Sequence, residues 1–173
     1  PIPGKHAVGI EVPNPRRALV SFREIIEAPE MKTLDAVIPV VLGKDVAGNA
    51  RVADLTRFPH LLIAGATGSG KSVSVNSIIC SIICSRRPDQ VRLLLIDPKI
   101  VELKFYNDVP HLLTPVITDP KKALQALQYC LFEMERRYAL LDALDVRDLG
   151  SYNAKVARTN TSHPLPYLVI IID

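Results

Sequence analysis

Long hydrophobic runs are missing from this sequence. None reaches the ~18 to 20 residues that cross a bilayer as a helix. The start, Pro1-Ile2-Pro3-Gly4, has neither the charged region nor the apolar run of a secretory signal. Cysteine is scarce. Cys80, Cys84 and Cys130 form an odd set without framework spacing, which excludes a secreted disulfide scaffold. Cys80 and Cys84 stand four apart and would share a helical face. None of His6, His60, His111 and His163 lies close to them in sequence, so a metal site lacks ligands, and the cysteines are expected to be buried small residues. Excess charge is small as well. A formal net charge of +3 permits an anionic partner without arguing for one, because a dedicated nucleic-acid module is usually more basic or carries its charge on one face.

What is present is a globular composition, 48% apolar and 23% charged, in 173 residues. That length suits one domain, or one domain with an appendage. The chain starts without Met and stops inside an apolar run at Asp173, so it reads as a piece of a longer protein. No internal repeat is visible.

Residues 1–59 hold seven of the fourteen prolines, which divide this part into short extended pieces. Gly9 to Val12 reads as a strand, and Ser21 to Glu27 is too short to type. Val37 to Leu42 reads as an edge strand because of Pro39. Gly43 to Gly48 supplies turn residues and Ala50 to Leu55 a returning strand, giving a hairpin. A small, partly β appendage is expected here.

From His60 the pattern becomes strand, helix, strand, helix, strand. His60 to Ala64 is the first strand. Lys71 to Ser85 is apolar on most sides, as a helix against a sheet would be. Val91 to Ile96 and Tyr167 to Ile172 are continuous apolar runs, as in strands covered on both faces. Thr118-Asp119-Pro120 starts a helix, with a capping oxygen and then proline at the first helical position. Leu124, Leu127, Leu131, Met134, Tyr138 and Leu141 follow as one stripe over about six turns, expected to pack into the core. Arg147 to Arg158 reads as a short helix, and Thr159 to Pro166 as a loop. Such alternation predicts an α/β domain with a mainly parallel sheet.

Between the first strand and its helix lies Gly65-Ala66-Thr67-Gly68-Ser69-Gly70-Lys71-Ser72. Two glycines five apart, followed by Lys and Ser, form the phosphate-binding pattern. Chance would supply its four fixed positions in roughly one of 100 to 200 chains of this length. The glycines let the backbone come close to phosphate oxygens. Successive N–H groups from Ala66 to Ser72 form an anion nest, and the helix directs its positive end to the same place. Lys71 adds a full charge near the β- and γ-phosphates, and the Ser72 hydroxyl is a hard oxygen ligand for Mg²⁺. A nucleoside triphosphate is therefore the expected ligand.

A magnesium-binding carboxylate should end an apolar strand. Leu93 to Ile96 with Asp97 fits that pattern, and so does Val169 to Ile172 with Asp173. Asp97 leads into Pro98-Lys99-Ile100, without the Gly of a GTPase, and Asn153-Ala154-Lys155-Val156 lacks the spacing and the acid of a guanine reader. Adenine is the expected base, and ATP the expected nucleotide.

The run Phe58 to Val73 resembles the FtsK/SpoIIIE DNA translocases. So do Ile96-Asp97-Pro98-Lys99, Val109-Pro110-His111-Leu112-Leu113-Thr114 and Met134-Glu135-Arg136-Arg137-Tyr138. Pro3-Gly4-Lys5, Ile10-Glu11-Val12-Pro13-Asn14 and Val41-Leu42-Gly43-Lys44-Asp45 match as well, so the likeness covers almost the whole chain. It implies a RecA-like P-loop NTPase core behind a small, partly β appendage. Residues 1–55 would belong to the α subdomain, and residues 56–173 would be the first part of the ATPase β subdomain, up to the Walker B strand. The nucleotide-binding set becomes Gly65, Ala66, Thr67, Gly68, Ser69, Gly70, Lys71, Ser72 and Val73. RecA-like motors place another strand between the P-loop strand and the magnesium-carboxylate strand, which favours Asp173 over Asp97. Lys71 and Asp173 are then the catalytic residues, and Ser72 and Asp173 hold Mg²⁺. The family has Glu after that Asp, one residue beyond this chain, and a longer loop than Thr159 to Pro166.

The resemblance further implies a homo-oligomeric ring, expected to be a hexamer, that pumps double-stranded DNA in chromosome segregation and cell division. The motor would lie at the cytoplasmic face of the bacterial inner membrane, attached through regions outside this chain. The family's DNA-contacting loops would lie beyond the Walker B strand. A cation from a neighbouring subunit would complete the site. Arg136 and Arg137 are weighed for that part and read instead as a solvated helix face, and Lys99 and Lys104 receive no role. The rivals are a conjugative coupling ATPase or another RecA-like pump, a small-molecule kinase, and a nucleotide-binding regulatory module.

Overall fold

A computed structural model describes residues 3, 4, 6–10, 12, 18–160 and 162–173. The strand expected at Gly9 to Val12 falls partly outside them, and Gly9, Ile10 and Val12 form no strand. Two short helices open the regular structure: α1 (Phe22–Ile26), capped by the Ser21 hydroxyl, and α2 (Pro29–Thr33), which starts on its proline. The expected hairpin follows as β1 (Pro39–Lys44) and β2 (Ala50–Asp54), antiparallel, with Pro39 opposite Asp54 and a bulge between Val41 and Gly43. The Asp45 carboxylate shapes its turn by accepting from the amides of Ala47 and Asn49 at 3.0 and 2.9 Å.

Helix α3 (Lys71–Ser85) is the centre of the core. Ile78, Ile79 and Ile82 bury one side of it, in a cluster that joins Ile38 and Val40 of the hairpin region to Val91, Leu93 and Leu95. Appendage and nucleotide-loop helix therefore share one hydrophobic core. Polar links reinforce it. Ser81 accepts from the Val41 amide at 2.9 Å, and Ser77 donates to the Val41 carbonyl at 3.1 Å, so both backbone groups of that residue are satisfied by serines of the helix. Arg86, at the helix end, donates to the carbonyls of Ala36 and Val37 at 2.6 and 2.7 Å.

Strand β3 (Val91–Ile96) pairs in parallel with β4 (Tyr167–Ile172), Val91 opposite Tyr167 and Ile96 opposite Ile172. Its other edge meets single bridges at Leu112 and Ile117, also parallel. The parallel α/β arrangement is thus present. The strand expected at His60 to Ala64 is not. A strand exists by virtue of its ladder, and this segment pairs with no described strand; Leu62 is 90% exposed.

Helix α4 (Pro120–Ala143) starts as expected, with the Asp119 carboxylate accepting from the Lys122 amide at 2.9 Å. Its apolar stripe does not enter the core. Leu124, Leu127, Leu131, Met134 and Tyr138 are exposed, Leu131 by 59%. The face next to it carries Ala123, Ala126 and Cys130, and these small residues pack, with Leu168, on Leu94, Ile96 and Ile117. Small side chains let the helix approach the sheet closely, and the bulky ones project past it. Helix α5 (Leu149–Thr159) is capped by Asp148 and buries Tyr152 and Val156. The three cysteines are free; Cys80 and Cys130 are half-buried and Cys84 is exposed, so the expectation of burial fails for Cys84.

Ile79→Ala should cost about 2 to 5 kcal/mol, since Ile79 is 0% exposed and its removal leaves a cavity. Leu131→Ala should cost no more than about 0.5 kcal/mol. Urea unfolding of the two variants reads both; equal costs would contradict the burial described.

Candidate functional site

The loop Gly65 to Gly70 leads from the unpaired segment 60–64 into α3. The Ser69 amide donates to the Ala66 carbonyl at 2.9 Å, closing a tight turn. Gly68 and Gly70 adopt φ of +80° and +97°, a left-handed region that a side chain disfavours. At Gly65 a Cβ would come within 2.1 Å of the Ser69 hydroxyl oxygen, so the loop closes over that position. Gly70 is the N-cap of α3. It offers no capping side chain, and the first turn carries no acidic residue. The first amides of the helix are therefore open to an anion.

Lys71 and Ser72 occupy the first turn and lie against two other parts of the chain. The Lys71 ammonium forms an ion pair with the Asp173 carboxylate, whose side chain is 3% exposed. Lys99 joins the same carboxylate at 3.2 Å. The Ser72 hydroxyl donates to the Glu102 carboxylate. Asp173 follows β4, and its amide donates to the Ile96 carbonyl at 3.1 Å, one step past the last register pair. The parallel pairing of β3 and β4 thus delivers Asp173 to the start of α3. The residues also present hard oxygens: the Ser72 hydroxyl and the Asp173 carboxylate are donors of the kind Mg²⁺ takes.

Asp97, the other carboxylate of the same pattern, has a different position. It is 0% exposed. Its oxygens accept from the amides of Ile100, Val101, Glu102 and Leu103 at 2.9 to 3.1 Å. Burial pushes its carboxyl up, but the amides of Leu103, Glu102, Ile100 and Val101 outweigh that and hold it below the usual carboxylate range. With its oxygens bonded to its own loop, Asp97 organises residues 97–103 rather than facing the nucleotide loop.

A cavity of about 960 Å³ lies between the segment 58–63 and β4, with Lys71, Lys99 and Asp173 at its polar end. The loop Gly65 to Gly70 does not line it. That loop is exposed, and the cavity is lined mainly by apolar residues.

The FtsK/SpoIIIE family pattern matches residues 21–173. The chain belongs to the FtsK/SpoIIIE family. It is 62% identical over its full length to the DNA translocase FtsK of Treponema pallidum and, equally, to that of Borreliella burgdorferi. Against DNA translocase FtsK of Streptococcus pyogenes the identity is 54%. The chain spans 22% of the length of each of these relatives. Among solved structures it resembles the pCW3 conjugation coupling protein TcpA in its monomer form with ATPγS, with TM-score 0.66 and 28% identity over 87% of this chain and 37% of that one. The cytoplasmic domain of EssC shares the fold, with TM-score 0.66 and 23% identity over 79% of this chain and 26% of that one. The chain is therefore an α/β member of the RecA-like P-loop class.

In this FtsK/SpoIIIE chain, Arg136 keeps the expected solvated face, with its side chain 44% exposed, whereas Arg137 leaves it, at 19%. Both donate to Glu133, each through Nε at 2.7 Å, and Arg137 also reaches the Pro166 carbonyl at 2.8 Å. The bond from Arg136, then the bond from Arg137, hold the Glu133 carboxyl at about 2 against the opposing effect of burial. Arg137 ties α4 to the segment that enters β4. The contacts of Lys99 and Glu102 had no separate signal in the sequence, because each is set by how the loop after β3 folds.

Asp97→Asn should destabilise the fold by about 2 to 3 kcal/mol at pH 7, the scale of hydrogen bonds to a charged group. A carboxyl held low in the fold adds stability that is present above its unfolded value near ~3.9 and lost as pH falls through its folded value. The gap between Asp97→Asn and the native chain should therefore be full at neutral pH and shrink below about pH 4. Denaturant midpoints across pH check this; a gap that widens in acid would refute it.

Proposed function

We propose that this chain is part of the motor of an ATP-driven double-stranded DNA translocase. Residues 1–55 belong to its α subdomain, and residues 56–173 form the first part of its RecA-like β subdomain. The observation that supports this best is the open start of α3, where Lys71, Ser72 and Asp173 converge on the loop Gly65 to Ser72.

Loop amides and the first amides of α3 would bind the phosphate oxygens of ATP, with Val73 completing the run. Lys71 would move from Asp173 to the phosphates and stabilise charge on the transferring group. Ser72 and Asp173 would hold Mg²⁺. Bound there, the ion would neutralise charge on the β- and γ-oxygens. Asp173, with Lys99 still beside it, keeps a counter-charge when Lys71 turns away. The water-activating group and the cation from a neighbour are supplied from outside this chain.

The proposed assembly is a homo-oligomeric ring, with a hexamer as the working stoichiometry. It moves DNA in chromosome segregation and cell division. The motor lies at the cytoplasmic face of the inner membrane and is attached through other regions of the protein; among the described residues no helix is long and apolar enough to cross a membrane. DNA contacts would fall mainly on phosphates, so translocation is largely sequence-independent. The likeness to a conjugation coupling protein keeps a coupling ATPase as the second reading.

In the intact protein, Lys71→Ala should lower ATP turnover by about 100-fold or more while leaving the fold unchanged by circular dichroism. Retained turnover would refute the role of Lys71. Double-stranded DNA should stimulate the native ATPase. Absence of stimulation in an assembled ring would remove the translocase reading and leave the coupling ATPase.

A further inference from the structure

A serine hydroxyl has one proton to donate and two lone pairs to offer. For Ser72 to ligate a cation through oxygen, its proton must point to some other acceptor. In this structure that acceptor is Glu102. The pair is half-buried, beside a cavity of about 460 Å³ that Asn76 and Tyr106 also line. The Asn76 side-chain oxygen of this cavity is already engaged, since it accepts from the Tyr106 hydroxyl at 2.7 Å. That leaves the Glu102 carboxylate as the group facing Ser72.

Glu102 is held where it is by its backbone. Its amide donates to the buried Asp97 carboxylate at 2.9 Å, and the amides on either side, of Val101 and Leu103, do the same at 3.1 and 3.0 Å. Leu103, the next residue, is anchored in the core cluster that contains α3. The loop carrying Glu102 and the helix carrying Ser72 are therefore fixed against the same set of buried side chains. The contact has a stable base on both sides.

We propose that Glu102 is a positioning residue for Mg²⁺. It accepts a hydrogen bond from the Ser72 hydroxyl, turns the lone pairs of Oγ toward the ion, and raises the electron density on that oxygen, as outer partners of metal ligands do. This rests on the nucleotide-binding reading given above. It assigns to Glu102 no contact with the phosphates and no proton transfer. The contrary possibility is that Glu102 holds Ser72 away from the ion, in which case its removal would favour metal.

The test is equilibrium binding of a fluorescent, non-hydrolysable ATP analogue to the intact protein, in excess Mg²⁺ and in EDTA. Glu102→Ala should weaken binding in Mg²⁺ by about 10- to 100-fold and leave binding in EDTA within about twofold of native. Glu102→Gln keeps an oxygen acceptor without the charge and should fall between the two. A Glu102→Ala protein with native Mg²⁺ dependence, or tighter binding in Mg²⁺, overturns the assignment. Equal losses in Mg²⁺ and in EDTA would also overturn it, because they would mean a general disturbance of the loop. If the native protein itself binds no nucleotide in either condition, the functional reading fails and this assignment fails with it.

Discussion

The structure depends on one helix being buried along its side and open at its start. Ile78, Ile79 and Ile82 hold α3 against the hairpin and against β3. At the other end, Gly70 begins the helix without a capping side chain. Burial fixes where the first amides lie, and the missing cap leaves them available. Either property alone would not make a site. A buried helix with a capping aspartate would have its amides satisfied, and an open helix without a packed side would not keep them in place. The small polar residues of α3 serve the same end: Ser77 and Ser81 satisfy the backbone of Val41, so the hairpin can lie against the helix without an unpaired buried group.

Two aspartates with the same sequence pattern illustrate how environment divides roles. Both follow a run of apolar strand residues. Asp97 leads into a loop whose next amides fold back on it, and it becomes a buried anchor. Asp173 ends the neighbouring parallel strand and meets Lys71 and Lys99. The two are linked through the loop that Asp97 organises, since that loop carries Lys99 to Asp173 and Glu102 to Ser72.

Local patterns were legible where the cause is local. The helix start at Asp119 and the hairpin turn within Gly43 to Gly48 both rest on residues within a few positions of one another. Patterns failed where the outcome depends on what lies opposite. The stripe Leu124 to Tyr138 has helical period and is apolar, but the sheet takes the neighbouring face of small residues because these allow the closer approach. The segment His60 to Ala64 has the composition of a strand, but a strand needs a partner, and among the described residues it has none. Arg137 looks like surface charge until its bonds to Glu133 and to the Pro166 carbonyl are found.

By itself, the sequence determined the chemistry on offer: a glycine loop followed by Lys71 and Ser72, two candidate carboxylates, alternating strands and helices, and a family. These follow from residue types at short spacing, which is where backbone geometry and side-chain chemistry act directly. Tertiary structure decided which carboxylate stands by Lys71, which face of α4 is covered, and which group accepts the hydrogen bond from Ser72. Each of those choices joins residues far apart in the chain, and only packing against a common core brings them within hydrogen-bond distance.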